Sequence, residues 1–184
     1  SLDNSYGKLG VPAFSFELGN MFFESCAEFE NNILPNNLNA LRYAARVLER
    51  PYRLPAGPDA YAATATPTTV TVGAPVVITL TASDARFSQI NGSEPIQNIA
   101  SAIATIDRLP WDPLAVSQPV FASDGNFDSS SESLTATLAT AGLAPGRHIA
   151  FVQATDASGA AGAPAAVFFT VNDYLFVDGF EGPQ

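Results

Sequence analysis

Histidine, cysteine, methionine and tryptophan each occur once among the 184 residues, and 8 Lys and Arg stand against 18 Asp and Glu. Each scarcity removes a class of function. With Cys26 alone no disulfide closes within the chain, which leaves either a buried free thiol or a partner outside these residues. No base lies beside Cys26 in the sequence to make it a nucleophile. His148 has no second imidazole at a metal-ligand spacing, so a structural role is expected of it. The formal net charge of -10, with an isoelectric point near 4.2, argues against a phosphate-binding surface, which needs clustered cations; nucleic acid is not an expected partner. No apolar run reaches the roughly 20 residues that span a bilayer, so no membrane span is expected. What is present in quantity is apolar: 47% hydrophobic and 14% charged residues describe a globular chain and not a disordered one.

Two textures divide the chain. Up to Arg50 the apolar residues recur at helical intervals: Phe22, Cys26, Phe29 and Ile33 lie four, three and four apart and stop at Leu34-Pro35. Leu38, Leu41, Ala45 and Leu48 then share one face of a second helix, with Asn36 or Asn37 placed to cap it and Pro51 ending it. Ahead of both, Ala13 to Leu18 alternates as a strand does. Strand, loop and helix read as the closing elements of an α/β sheet. From Pro51 to Asp59, three prolines and a glycine in nine residues give a stiff linker and a domain boundary near residue 57. Beyond it, Thr-, Val- and Ile-rich runs alternate with turn signals: Thr69 to Val72, Val76 to Thr81, Ala100 to Ile106, Pro119 to Ala122, Ser133 to Leu138, His148 to Thr155 and Ala165 to Val171. About seven such strands predict an all-β sandwich over residues 58–173.

Glu17 is the residue that the strand pattern leaves unexplained. Phe14, Phe16 and Leu18 fall on one face, and Ala13, Ser15 and Glu17 on the other. An ionised carboxylate on a packed face costs several kcal/mol, so Glu17 implies a cleft, a cation or a paired donor, or else an edge strand whose acid faces water. With Ser1-Leu2-Asp3-x-x-Tyr6-Gly7 ahead of it, Phe14-Ser15-Phe16-Glu17-Leu18 resembles the zinc carboxypeptidases of the carboxypeptidase A and T type. The resemblance covers about the first third of the chain. It implies that residues 1–57 are the C-terminal piece of such a catalytic domain, an α/β fragment holding a closing strand and helix. It places the general base on Glu17, the base of the pocket for the substrate's C-terminal side chain on Leu2, a wall of that pocket on Ser15, and a loop-holding role on Asp3 and Tyr6. An apolar residue at Leu2 implies a preference for apolar or aromatic C-terminal residues. The family holds its zinc through His-x-x-Glu and a later His, so the zinc ligands and the substrate-clamping Arg and Tyr residues are expected upstream of Ser1. The implied parent is a secreted metallocarboxypeptidase, extracellular or periplasmic, acting on peptides or proteins. This chain alone is expected to be inactive, and its first segment to expose apolar surface for want of sheet neighbours. The competing reading, from a different class, is a non-catalytic binding or adhesion module that holds a polysaccharide or protein surface.

The run Gly142-Leu-Ala-Pro-Gly-Arg-His-Ile-Ala-Phe-Val-Gln-Ala-Thr-Asp156-Ala-Ser-Gly159 resembles the late hairpin strands of bacterial immunoglobulin-like and fibronectin-type modules, which makes the expected sandwich immunoglobulin-like. Asp124-Gly-Asn126-Phe-Asp128 imitates the first ligands of a calcium loop. Ser129 stands where that loop needs Gly, and Thr135 where it needs Glu, so an ordinary turn is expected. Trp111, in Leu109-Pro-Trp-Asp-Pro, offers a sugar-stacking face, with a core or capping role as the plainer expectation. Asn91-Gly-Ser93 is a glycosylation sequon. Residues 174–184 form an aromatic, acidic tail that reads as a sheet edge or an anchoring tag.

Overall fold

The computed structural model describes residues 5, 7–8, 13, 15–86 and 93–173, so Leu2, Asp3, Tyr6, Phe14, Asn91 and the tail 174–184 lie outside the described residues. The chain divides into two compact units, Ser1–Tyr52 and Arg53–Gln184. Among the described residues no helix is long and apolar enough to cross a membrane.

The first unit is helical. A short α1 (Cys26–Glu28) runs through a π-helical turn (Phe29–Ile33) into α2 (Leu34–Val47). Ser25 starts it, its Oγ accepting the Glu28 N–H at 3.1 Å, which satisfies one of the donors a helix start leaves free. The expected break at Leu34-Pro35 does not occur. The Leu34 N–H reaches back five residues to the Phe29 carbonyl, and this wider turn leaves Pro35 in the first turn of α2, where a missing N–H is tolerated. Asn37 is therefore no cap; its Nδ2 donates to the Ile33 carbonyl at 2.8 Å. The helix ends near its expected stop, with the Arg50 N–H bonded to the Val47 carbonyl at 3.0 Å ahead of Pro51. Its expected apolar face is turned outward: Leu38, Leu41 and Leu48 are exposed, and Ile33 and Val47 are buried instead.

The strand expected over Ala13 to Leu18 is not formed, since residues 13 and 15–18 belong to no strand or helix. Extended backbone becomes a strand when a neighbour takes up its N–H and C=O groups, and among the described residues this unit supplies no second strand. Of the α/β fragment, the described residues thus contain the helix and not the strand.

The second unit is β-rich. Its strands are β1 (Asp59–Thr66), β2 (Thr69–Thr71), β3 (Val76–Ser83), β4 (Ile99–Ile106), β5 (Gln118–Ala122), β6 (Ser131–Leu138), β7 (Gly146–Asp156) and β8 (Ala165–Asn172). They form one mixed sheet in the order β1-β3-β6-β5-β4-β7-β8-β2, antiparallel throughout except for the β2–β8 pair. The sheet curls nearly into a barrel: the Ala60 N–H, from the edge strand β1, meets the Ala163 carbonyl just before β8 at 3.1 Å. Alternation sorts the faces as period two requires. Val76, Ile78, Leu80 and Ala82 of β3 turn inward with Leu134, Ala136 and Leu138 of β6, and meet Val152 of β7 and Phe169 of β8 in the core. Thr79, Thr81 and Thr135 face outward.

All seven expected strands are present, and β1 is added to them. Its sequence, Asp59-Ala-Tyr-Ala-Ala-Thr-Ala-Thr66, is rich in a poor strand former, and a register shift between Tyr61 and Thr64, with Ala62 at φ 55°, breaks the alternation that would have marked it. The proline-rich stretch is not a free linker along its whole length. Leu54, in the 3₁₀ turn Leu54–Ala56, is buried, and Pro58 is fully buried.

Two glycines make that seating possible. A Cβ on Gly57 would come 2.5 Å from the Gly162 nitrogen, and one on Gly162 would come 1.8 Å from the Pro58 carbonyl oxygen. Backbone meets backbone here, and no flexible side chain is present to give way. Gly162→Ala is therefore expected to lower the stability of the β-rich unit by about 1–3 kcal/mol, the usual range for overpacking. Chemical denaturation followed by near-ultraviolet circular dichroism measures it, and an unchanged midpoint would mean that the backbone yields freely at this contact.

Candidate functional site

The candidate site begins with a bend. Gly19 has φ +99°, a left-handed conformation that a side chain disfavours, and a Cβ there would come 2.8 Å from Glu24 Oε1. That same oxygen accepts the Asn20 N–H at 2.7 Å and the Met21 N–H at 2.8 Å. Glu24 thus ties off the turn that follows Glu17-Leu18. The sequence reading missed Glu24; its signal was Gly19-Asn20 with an acid four residues after the Asn.

Ser15 and Glu17 lie on the extended segment that leads into this bend, and both are exposed. The structure brings them together on one short segment. It gives no position for Leu2. Glu17 is exposed and belongs to no strand, so the strand face that made its carboxylate an anomaly is not formed among the described residues.

Past the bend the chain sets out apolar side chains. Phe22 and Phe23 are 103% and 92% exposed, and Leu18, Met21 and Phe29 are exposed with them. With Cys26 these residues line a groove of about 410 Å³ that Glu24 and Glu30 also border. Neither Glu17 nor Ser15 lines it. The Cys26 thiol is exposed, so of the two alternatives left for it the buried free thiol is not the one found. Contiguous apolar surface of this kind marks a face that another surface covers.

The donors for zinc are not in the described residues. A zinc site takes at least three N, O or S ligands at fixed geometry, and no three His, Cys, Asp or Glu side chains converge among those residues. His148 lies in the β-rich unit with both ring nitrogens engaged, Nδ1 at 2.6 Å from Asp107 Oδ2 and Nε2 at 2.8 Å from the Ala144 carbonyl. Its pairing with a carboxylate has the outline of a catalytic dyad, yet no ring nitrogen is left to take a proton from a substrate.

The remaining motifs form turns. Asp124 Oδ1 accepts the Asn126 N–H at 3.2 Å, and the Asp128 N–H goes to Glu132 Oε1 at 3.0 Å. Trp111 is half-buried in a turn organised by Asp112, which accepts the Leu114 N–H at 2.8 Å and pairs with Arg108 at 2.9 Å. Those contacts, the Leu114 N–H first, hold the Asp112 carboxyl below its ordinary range. Of three buried acids, Glu132 and Asp84 escaped the sequence reading, and Asp156 heads the turn in the run that ends at Gly159. Glu132 Oε1 also receives the Ser129 N–H at 2.7 Å, and Asp84 Oδ2 receives the Gln97 N–H at 2.6 Å. Asp156 Oδ1 gathers the N–H groups of Ser158 and Ala160 with the Ser158 hydroxyl. Burial raises the Asp84 carboxyl above its ordinary range, against the pull of the Gln97 N–H and with help from the Asp156 charge. These acids organise the loops at the start of β4 and β6 and the end of β3 and β7.

No protein-family model matches the chain, and no curated protein matches it either.

The two units differ in how much of themselves they bury. Up to Tyr52 the buried apolar side chains among the described residues are Ile33 and Val47. At about 1.5–3 kcal/mol each they are small against a backbone ordering cost of roughly 1–2 kcal/mol per residue. Amides of residues 15–52 are therefore expected to exchange with solvent faster than those of β3, β6 and β7, by hydrogen-exchange mass spectrometry on the chain as it stands. Equal protection in both units would contradict this.

Proposed function

We propose that residues 1–57 belong to the catalytic domain of a secreted zinc carboxypeptidase, and that residues 58–173 are an immunoglobulin-like domain appended to it. The observation that carries the reading is Phe14-Ser15-Phe16-Glu17-Leu18 behind Ser1-Leu2-Asp3-x-x-Tyr6-Gly7. Two structural features support it. The first unit leaves its apolar side chains uncovered, as a segment does that completes a larger body. The second unit is β-rich and buries its own apolar core, as an appended all-β domain does.

On this reading Glu17 is the general base. Its carboxylate accepts a proton from the water that attacks the scissile carbonyl and returns one to the leaving amine. Exposure of Glu17 leaves the carboxylate accessible to a substrate laid against this segment. Leu2 lies at the base of the pocket for the C-terminal side chain, and Ser15 on its wall. A Lys head facing Leu2 would lose water and gain no partner, a cost of several kcal/mol, so apolar C-terminal residues are favoured. The described residues do not supply the donor set for zinc, which this reading assigns to sequence beyond residues 1–184.

A second reading, a non-catalytic binding module, draws on a different observation. Ile103 of β4, Phe121 of β5 and Phe168 of β8 are exposed, and the Arg147 guanidinium lies 3.6 Å over the Phe168 ring. Such a face suits stacking against a polysaccharide or protein surface.

The test uses the longer polypeptide that the first reading requires. Glu17→Gln is expected to lower peptide turnover by about 10²- to 10⁴-fold with bound zinc unchanged, and the unmodified enzyme to cleave peptides ending in Phe or Leu faster than those ending in Lys or Arg. Steady-state kinetics with metal analysis measures both. Near-normal turnover of Glu17→Gln would remove Glu17 from the mechanism, and a longer chain that hydrolyses no peptide would leave the binding module as the better reading.

A further inference from the structure

We propose that His148, Asp107 and the Ala144 carbonyl form a clamp that is complete only while the imidazole is charged, and that it fastens the turn before β7 to the loop after β4 until alkaline solution releases that turn. The geometry at the ring carries this. Each ring nitrogen faces an acceptor with no proton to offer: Asp107 Oδ2 at 2.6 Å from Nδ1, and the Ala144 carbonyl at 2.8 Å from Nε2. A neutral imidazole has one N–H, and whichever tautomer it adopted would point a lone pair at an oxygen. The imidazolium donates on both sides and satisfies both contacts. The contact to Asp107 is shorter than an ordinary N–H···O bond, the direction in which charge on donor and acceptor moves it.

Asp107 is built into the sheet for this task. It adopts φ 59°, a left-handed conformation uncommon for a residue with a side chain. Its own N–H donates to the Ile149 carbonyl at 2.8 Å, and its Oδ1 accepts the Ile149 N–H at 3.0 Å. Backbone and one carboxylate oxygen together continue the β4–β7 ladder past its end, and the second oxygen is left aimed at the ring. The other side of His148 stacks on Phe169 of β8, with centroids 5.6 Å apart.

The charges around the ring are few. On β7 the neighbouring Arg147 is committed to Phe168 on the other face. After β4, Arg108 pairs with Asp112 at 2.9 Å. β8 presents the uncharged Phe169, and the turn from Ala139 to Pro145 contains no ionisable side chain. Among the described residues Asp107 is thus the charged group in contact with the ring. Burial works against the imidazolium, but the Ala144 carbonyl and the Asp107 carboxylate outweigh it and hold the imidazole above its ordinary 6.5. A group raised on folding contributes stability that is fully present below its unfolded value and is lost as the pH climbs through the folded one. The clamp is therefore complete in acid and weakens on the alkaline side of 6.5. On deprotonation the bond to the uncharged acceptor goes first, which frees the turn at Ala144.

His148 is the sole histidine of the chain, so every imidazole signal reports it without assignment. Ring ¹⁵N chemical shifts of the full chain, followed from about pH 5 to about pH 10, test the proposal against the ordinary histidine range. Both nitrogens are expected to be protonated on the acid side of the curve, with a midpoint above 6.5 and with exchange of the Leu143 and Ala144 amides rising as the ring loses its proton. Asp107→Asn is expected to lower the midpoint. A midpoint at or below 6.5, or a midpoint unmoved in Asp107→Asn, would overturn the proposal. If that variant does not fold, the titration of the unaltered chain decides by itself.

Discussion

A β-sheet hides apolar side chains on one face only when something covers that face, and the eight-stranded sheet of this protein covers its own. It curls until the Ala60 N–H meets the Ala163 carbonyl, and the rest of the β-rich unit follows from that closure. Phe169, Ile78, Leu138 and Val152 become fully buried because strands from opposite ends of the strand order are brought over one another. The closure needs close backbone approach where the chain enters β1. Gly57 and Gly162 supply it by having no Cβ. The buried acids fit the same scheme, because each takes up backbone N–H groups that the loops between closing strands would otherwise leave unpaired.

The first unit is the opposite case. Its helix from Cys26 to Val47 is locally well specified, with Ser25 at its start and a π-helical turn that accommodates Pro35, but local specification does not bury a stripe. Leu38, Leu41 and Leu48 stay exposed, and Phe22 and Phe23 have nothing over them. The strand expected over Ala13 to Leu18 is missing for the same reason, since among the described residues this unit has no other strand to ladder against it. Uncovered apolar residues, an extended segment outside any sheet and an exposed acid lie within one stretch of the described residues.

Legibility in the sequence followed the range of the interactions. Seven strands were readable because alternation is a property of neighbours, and β1 was not, because its alanines and the break between Tyr61 and Thr64 erase that alternation. The end of α2 was readable from Pro51. Its start was not, since Pro35 reads as a stop unless the hydrogen-bond register widens ahead of it. The partners of Asp84 and His148 lie 13 and 41 residues away, and no local pattern announces them. Glu17 stood out as a carboxylate out of place in an expected strand, and the role proposed for it rests on the resemblance of its motif alone; the bend that Glu24 holds beside it came from the structure.

The central claim is that the β-rich unit is complete in itself. Thermal unfolding of residues 53–184 made separately, compared with the full chain by near-ultraviolet circular dichroism, tests it most directly. The account predicts one cooperative transition at the midpoint of the β-rich unit in the full chain. A lowered midpoint, or loss of the cooperative transition, would contradict it.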